Sequence, residues 1–271
     1  MVTVDEHASD TMWVAPEAAR VSISAVLPAY NEAAVIRQTV EHVSDVLWRV
    51  TPDFEIVVVD DGSRDDTAGV LADLQQTEPS LHLRVVRHER NAGYGAALAS
   101  GFDACTKELV FFTDGDKQFD VRELVGFLPH LTGSVDMVIG FRARRADPVL
   151  RLVNAWGWKL LVNTLFGYTA RDVDCAFKLF RRQVWEELNV RSRGATFSAE
   201  LLIKARRCGF SIVELPVTHY PRTAGQPTGA RPRVIVRAFR ELFGLRMSIE
   251  RELAKQARTR RRTVVPKHVG A

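Results

Sequence analysis

At 271 residues the chain is long enough for one large domain or two small ones, taking roughly 150 residues per domain, and either can bury a sizeable core. Its 46% apolar and 26% charged residues exclude a wholly disordered, collagenous or coiled-coil protein, and three cysteines without Cys-x-x-Cys spacing suggest neither a disulfide framework nor a thiolate zinc site. The net charge of +4 belongs to the end of the chain: residues 251–271 hold seven Lys/Arg against one acid, which leaves residues 1–250 slightly acidic.

No run reaches the roughly 18 to 20 apolar residues that span a bilayer. The acidic opening MVTVDEHASD lacks the basic start and apolar stretch of a signal peptide, so a soluble or membrane-surface protein of the reducing cytoplasm is expected. Residues 1–20 have no periodicity and read as a flexible arm. Val21–Leu27, rich in β-branched residues and stopped at Pro28, spells a strand; from Asn31 a helix follows with Ile36, Val40, Val43, Leu47 and Val50 on one face. Glu55–Val59 is a second strand, closed by Asp60-Asp61-Gly62-Ser63, and Ser63 is placed to cap a helix with Val70, Leu71 and Leu74 on its apolar side. Leu83–Val86 is a third strand. Asn91-Ala-Gly-Tyr-Gly opens a helix of small residues that permits close packing, and Leu109–Thr113 is a fourth strand. Asp120 and Glu123 stand as a capping box with Phe119 opposite Leu124 as a hydrophobic staple, and Val135–Ile139 is a fifth strand. Strand alternating with helix implies parallel pairing through right-handed crossovers, hence a doubly wound α/β sheet with its ligand beyond the strand C-termini.

Those ends carry Tyr30-Asn31-Glu32, Asp60-Asp61, Asn91 and Asp114-Gly-Asp116. Acids prevail there, and no Gly-x-x-x-x-Gly-Lys-Ser/Thr phosphate cradle exists. Carboxylates at a phosphate site need a cation between. Asp114 and Asp116, on either side of one glycine, can share Mg2+ or Mn2+, and Gln118 can supply another oxygen; the alternative is a turn in which both acids merely satisfy backbone amides.

The stretches SAVLPAYNEAAVI, EIVVVDDGSRDDT, RNAGYGAALASGF, VFFTDGDKQFD, DVDCAFKLFRR and FSAELLIKARRCGFSIVELPV, followed by Arg222 and Gly225, occur in a telling order. Together they resemble family 2 of the inverting nucleotide-sugar glycosyltransferases, in the branch of dolichol-phosphate mannosyltransferase and the bacterial polyprenyl-phosphate glycosyltransferases. The likeness covers about residues 22–245. It implies a GT-A-type α/β domain in which Pro28, Tyr30, Glu32, Asp60 and Asp61 hold the nucleotide of a GDP- or UDP-linked sugar. Asp114, Asp116 and Gln118 would bind the metal and diphosphate. Residue chemistry agrees with these roles. Asp61 or Asp60 can accept from a base N–H, as uracil N3 or guanine N1 and N2 require, whereas Asp65 and Asp66 better suit the dipole of the following helix. Tyr30 can stack on the base or serve as a half-buried core tyrosine, and Glu32 can contact the nucleotide or act as a first-turn acid. A nicotinamide oxidoreductase is the rival on the same fold, since Gly93-Tyr-Gly95 opens a helix after a strand. It requires a third small residue where Leu98 stands, and Asp114 leads straight into another carboxylate.

The second half should supply the acceptor. Pro148–Phe166 sets Val149, Leu150, Leu152, Val153, Trp156, Leu160, Leu161 and Leu165 against Arg151, Asn154, Lys159 and Asn163. Trp156, Trp158 and Lys159 suit a bilayer interface; a core-packing helix or one that builds a homo-oligomer is the alternative, and the resemblance favours membrane contact. Val234–Arg246 repeats the pattern, with Ile235, Phe239, Leu242 and Phe243 against Arg237, Arg240 and Arg246. After the strand Ile212–Thr218, the Gly/Pro-rich segment from His219 to Arg233 suits a phosphate-binding lid. Arg142, Lys178, Arg222, Arg231 and Arg233 are the candidates for the acceptor phosphate, and the resemblance singles out Arg222 and Asp116 as catalytic. The family's Ser-Gly-Phe-Arg is here Cys175-Ala176-Phe177-Lys178, and its Ser-Lys after the lid glycine is Pro227-Thr228, which leaves the acceptor open. A hydroxyl of a glycan or protein is the other acceptor, for which Asp172 or Asp174 would be the base.

The expected organisation is an arm over 1–20, one GT-A-type catalytic domain over 21–250, and a basic disordered tail over 251–271. Within the domain, 21–145 is the nucleotide-binding half and 146–250 the acceptor half. The tail lacks the interleaved aromatics of a nucleic-acid binder and suits an anionic membrane surface, so the protein is expected on the inner face of the cell membrane as a peripheral enzyme. A non-enzymatic membrane scaffold would use the same surfaces without metal-dependent nucleotide binding.

Overall fold

The apolar runs of the first half become strands because each can be covered on both faces. The computed structural model describes residues 21–131, 133–144, 149–194, 196–221 and 240–251, with 144 and 149–155 described by backbone alone. Strands β1 (Ile23–Ala29), β2 (Phe54–Asp60), β3 (Leu83–Arg87) and β4 (Leu109–Thr113) pair in parallel in the order β3-β2-β1-β4. Ile56–Val59 and Leu109–Phe112 are continuous apolar stretches, as a doubly covered parallel sheet requires, and all are buried.

Helices α1 (Ile36–Val50), α2 (Thr67–Thr77) and α3 (Tyr94–Ala104) are the crossovers. Helix α1 starts five residues after Asn31, later than its periodicity suggests. Asn31 takes a left-handed φ of 58°, and the amides of Asn31, Glu32 and Ala33 donate to Ser63 Oγ, Thr67 Oγ1 and Asp65 Oδ2. Ser63 therefore does not cap α2, which begins at Thr67; its hydroxyl is spent on the neighbouring loop. The small face of α3 lies on the sheet, where a Cβ at Gly101 would come within 2.4 Å of Val26.

Strands β5 (Met137–Arg144), β6 (Phe177–Arg181) and β7 (Ile212–Thr218) extend the sheet to seven, in the order β3-β2-β1-β4-β6-β5-β7. The sequence reading expected β5 but not β6, which runs antiparallel to both β4 and β5, while β7 is parallel to β5. The 120–124 turn differs in detail too. Asp120 accepts from the Arg122 amide at 3.1 Å as a cap should, and leads through a 3-10 turn into the short helix α4 (Leu124–Phe127). Glu123 does not close a capping box: its carboxylate takes the amide and hydroxyl of Thr218 at 3.0 and 2.7 Å and ties this turn to the end of β7.

Helices α5 (Val149–Phe166), α6 (Arg182–Glu187) and α7 (Phe197–Cys208) cover the second half, with Gly209 at φ 90° ending α7. A further helix occupies 240–251, where Leu242, Leu245 and Ile249 are buried and Phe243 and Met247 are exposed. On α5, Val162 is buried and Trp158, Leu161 and Leu165 pack on the core, while Trp156 and Leu160 are 66% and 52% exposed. Among the described residues no helix is long and apolar enough to cross a membrane.

Candidate active site

Because β1 lies between β2 and β4, the loops leaving these three strands meet at one edge of the sheet. The β1 and β4 loops touch: a Cβ on Gly115 would stand 3.2 Å from the Pro28 carbonyl, and Thr39 Oγ1 donates to the Gly115 carbonyl at 3.0 Å. Asp114 is half-buried. Asp116 is buried, its Oδ1 accepting the Gln118 amide at 3.1 Å across a turn in which Lys117 takes a φ of 60°. The turn reading of the Asp-x-Asp segment is thus realised at Asp116. It is compatible with a cation, since accepting one amide leaves the carboxylate its charge.

Tyr94 opens α3 and reaches the same acids. Its hydroxyl donates to Asp114 Oδ1 at 3.0 Å. Burial of the phenol end and then the charges of Asp114, Asp116 and Asp174 hold its pKa well above the ordinary tyrosine range, which keeps it a donor. Sequence reasoning named the Asn91–Gly95 segment but missed Tyr94 as a site residue; a partner twenty positions away becomes visible only when the topology sets α3 beside β4.

The two acids ending β2 have separate tasks. Asp60 is fully buried; its Oδ1 takes the Ser63 amide at 2.9 Å, and the Arg87 guanidinium stands 3.5 Å from its Oδ2. Asp61 is 3% exposed and organises the 88–93 segment, accepting from His88 Nδ1 at 2.7 Å, the Ala92 amide at 2.8 Å and the Gly93 amide at 2.9 Å. Pro28, Tyr30 and Glu32 are partly exposed on the adjoining loop.

Several of the remaining candidates are engaged by other parts of the protein. Gln118 donates from Nε2 to the Tyr220 carbonyl at 3.1 Å and accepts the Tyr220 amide on its own carbonyl at 2.8 Å. It thereby tethers Tyr220 beside the Asp-x-Asp turn. Lys178 is not placed to meet an acceptor phosphate at the surface: it is fully buried as the second residue of β6, its ammonium donates to the carbonyls of Val173 and Cys175, and it lies 5.2 Å from the Phe112 ring centroid. Burial lowers its pKa. Arg142 is likewise committed, forking onto Asp172 at 2.7 and 2.9 Å. Burial would lower its pKa, but the Asp172 carboxylate outweighs that and raises it. The same fork occupies Asp172 as a general base and leaves Asp174, which is exposed, as the acid beside Tyr94. Arg222, Arg231 and Arg233 lie outside the described residues.

Among the described residues, no group of three or more His, Cys, Asp or Glu side chains surrounds one point as a complete cation cage. Two carboxylates at a strand end nevertheless fit Mg2+ or Mn2+, which are commonly held by one or two acids together with substrate phosphates and water.

The conserved-domain model "Glycosyl transferase family 2" matches residues 24–188. The chain belongs to glycosyl transferase family 2. The strand-end acids lie within the matched region. The chain is 33% identical to Glycosyltransferase AglD of Haloferax volcanii over 217 residues, covering 77% of this chain and 34% of that one. Identity to the polyprenol monophosphomannose synthase of Mycolicibacterium smegmatis is 30% over 215 residues, covering 74% and 78%. It is 28% to the dodecaprenyl-phosphate galacturonate synthase of Rhizobium johnstonii, covering 75% and 60%. The chain thus spans between a third and about four fifths of the length of these relatives. In architecture it matches glucosyl-3-phosphoglycerate synthase of Mycobacterium tuberculosis, crystallised with Mn2+, UDP and phosphoglyceric acid, with a TM-score of 0.63 at 23% identity over 84% of this chain and 79% of that one. The fold is that of a GT-A glycosyltransferase, with a mixed, mostly parallel sheet.

Proposed function

We propose that this glycosyltransferase moves a sugar from a nucleoside diphosphate to a polyprenyl phosphate, with inversion and with a divalent cation, at a membrane surface. The observation that carries the reading is the convergence of Asp114, Asp116, Tyr94 and the β1 and β2 loops at one sheet edge, in a chain whose relatives include named polyprenyl-phosphate sugar synthases.

Asp114 and Asp116 would hold Mg2+ or Mn2+ against the donor diphosphate, and Asp61 would accept from the base while Tyr30 stacks on it. When bound, the cation supplies Lewis-acid stabilisation of the departing diphosphate. A phosphate monoester has a second pKa of about 6, so at neutral pH it is largely dianionic and attacks the anomeric carbon without a strong base. One bond forms from its oxygen to that carbon as the bond to the diphosphate breaks, and no proton has to move. Charge is the obstacle. Tyr220 is bonded to Gln118 beside the acids, and Arg222, two residues further along the sequence, would supply the offsetting cation together with Arg231 and Arg233. With Lys178 buried and Arg142 forked onto Asp172, these three lid arginines carry the acceptor role in the proposal.

Product analysis tests it: several labelled nucleotide sugars are offered with polyprenyl phosphate and Mn2+, alongside Asp116→Ala and a chelator. Transfer to the lipid phosphate is expected, with at least a hundredfold loss in Asp116→Ala, on the scale of removing a principal electrostatic stabiliser. Full turnover in that variant would remove the metal role, and transfer only to a hydroxyl acceptor would remove the lipid one.

A further inference from the structure

The sequence HERN after β3 has no assigned role, and the structure gives His88 one. His88 Nδ1 lies 2.7 Å from Asp61 Oδ1 and its Nε2 lies 2.9 Å from Ser100 Oγ. A carboxylate only accepts, so Nδ1 carries the hydrogen; in the neutral ring Nε2 then accepts from the Ser100 hydroxyl. The imidazole is held at both ends, by the end of β2 and by the middle of α3.

An Asp–His–Ser order invites comparison with a nucleophilic triad, but the surroundings oppose it. Ser100 sits mid-helix, where backbone amides are consumed by the helix itself, and Asp61 already serves the Ala92 and Gly93 amides. These amides are not available to stabilise an oxyanion at Ser100. The arrangement orients an acid instead. A carboxylate offers about four lone-pair positions. His88 and Ala92 take two on Oδ1 and Gly93 one on Oδ2, which leaves a single acceptor position on Oδ2 for a base N–H.

We propose that His88, braced by Ser100, is a positioning residue for nucleotide recognition: it fixes the Asp61 carboxylate so that one acceptor position faces the base of the donor. This rests on the reading of Asp61 as the base contact. In the 88–94 segment, it also sets the residue that orients the base acid six positions before Tyr94, which touches Asp114.

Titration calorimetry of UDP and of GDP, each with Mn2+, on the full chain and on His88→Ala, His88→Asn, His88→Gln, Ser100→Ala and Asp61→Ala provides the test. Asparagine carries its amide nitrogen where imidazole carries Nδ1, whereas glutamine carries it near Nε2. The preferred nucleotide should bind His88→Ala about tenfold more weakly, the scale of a lost hydrogen bond to a charged group. The ratio between the two nucleotides should narrow, and His88→Asn should recover most of both. A purely structural role would weaken UDP and GDP alike, and that result overturns the inference. Unchanged binding by His88→Ala beside a weakened Asp61→Ala overturns it while sparing the base-contact reading; unchanged binding by both removes that reading, and the inference with it. Should His88→Ala fail to fold, equal base ratios for the asparagine and glutamine variants would be decisive against it.

Discussion

Tyr94 is the residue through which α3 reaches the acids of β4, and a single atom separates its two functions. Tyr94 is 38% exposed and phenylalanine keeps its ring, so packing should change little in Tyr94→Phe, while the 3.0 Å bond to Asp114 is lost. A drop in donor kcat/KM of about tenfold is expected with a melting temperature within a degree or two of the parent, measured by initial rates and thermal unfolding. Glu200 makes the opposite case, a buried acid to which no chemical role is assigned. Burial pushes its pKa up, but the hydrogen bonds from Lys204 and from the Ser192 and Arg191 amides outweigh that and leave it below the ordinary value of 4.5. A folded-state pKa below the unfolded one gives stability that is present above the unfolded value and lost as pH falls through the folded one. Glu200→Ala, which leaves the buried Lys204 ammonium without its carboxylate, should cost about 3 kcal/mol in urea unfolding at pH 7, with the difference shrinking as the pH falls from 4.5 through the lowered folded value.

At the scale of elements, glycine positions in α3 set how closely the helix approaches its neighbours. A Cβ on Gly95 would lie 2.7 Å from Phe197 Cβ and 2.9 Å from the Arg193 backbone, which cannot yield like a side chain. Gly95→Ala should therefore destabilise by about 2 kcal/mol despite the better helix propensity of alanine, read from the urea midpoint, and should also weaken nucleotide binding because Gly95 adjoins Tyr94. The packing purpose of this helix was legible in its small residues. So were β1 to β4, because parallel strands covered on both faces are written as unbroken apolar runs. Strand β6 was not legible. Lys178 interrupts Phe177–Arg181, and only the completed fold supplies the carbonyls of Val173 and Cys175 that make a buried ammonium tolerable. The site followed the same division. Asp114, Asp116 and the β2 acids stand at strand ends and could be named from sequence, whereas the partners His88, Tyr94 and Tyr220, and the pairing of Asp172 with Arg142, are set by topology, and nothing in their local spacing points to them.

For the whole molecule, the question is how a chain without a spanning helix among its described residues would meet the lipid-borne acceptor of the proposed function. Helix α5 and the 240–251 helix each bury one side and leave another out: Trp156 and Leu160 on the first, Phe243 and Met247 on the second. The sequence beyond residue 250 adds seven Lys/Arg and one acid. If these surfaces serve a bilayer, their contributions have different signatures. Each cation near an anionic surface is worth about 1 kcal/mol and is screened by salt, whereas burial of a large apolar side chain contributes about 1.5–3 kcal/mol when complete and is little affected by salt. Sedimentation with vesicles should therefore show binding that rises with the anionic lipid fraction and weakens from 50 to 500 mM salt without vanishing. Phe243→Ser with Met247→Ser should remove the salt-resistant part and reduce binding at high salt at least tenfold, while transfer to a short, water-soluble polyprenyl phosphate analogue continues. Loss of vesicle binding only when the residues after 250 are removed, with no effect of the helix pair, would assign the membrane contact to charge alone. Equal binding by all variants to neutral and anionic vesicles would remove these surfaces from the acceptor route.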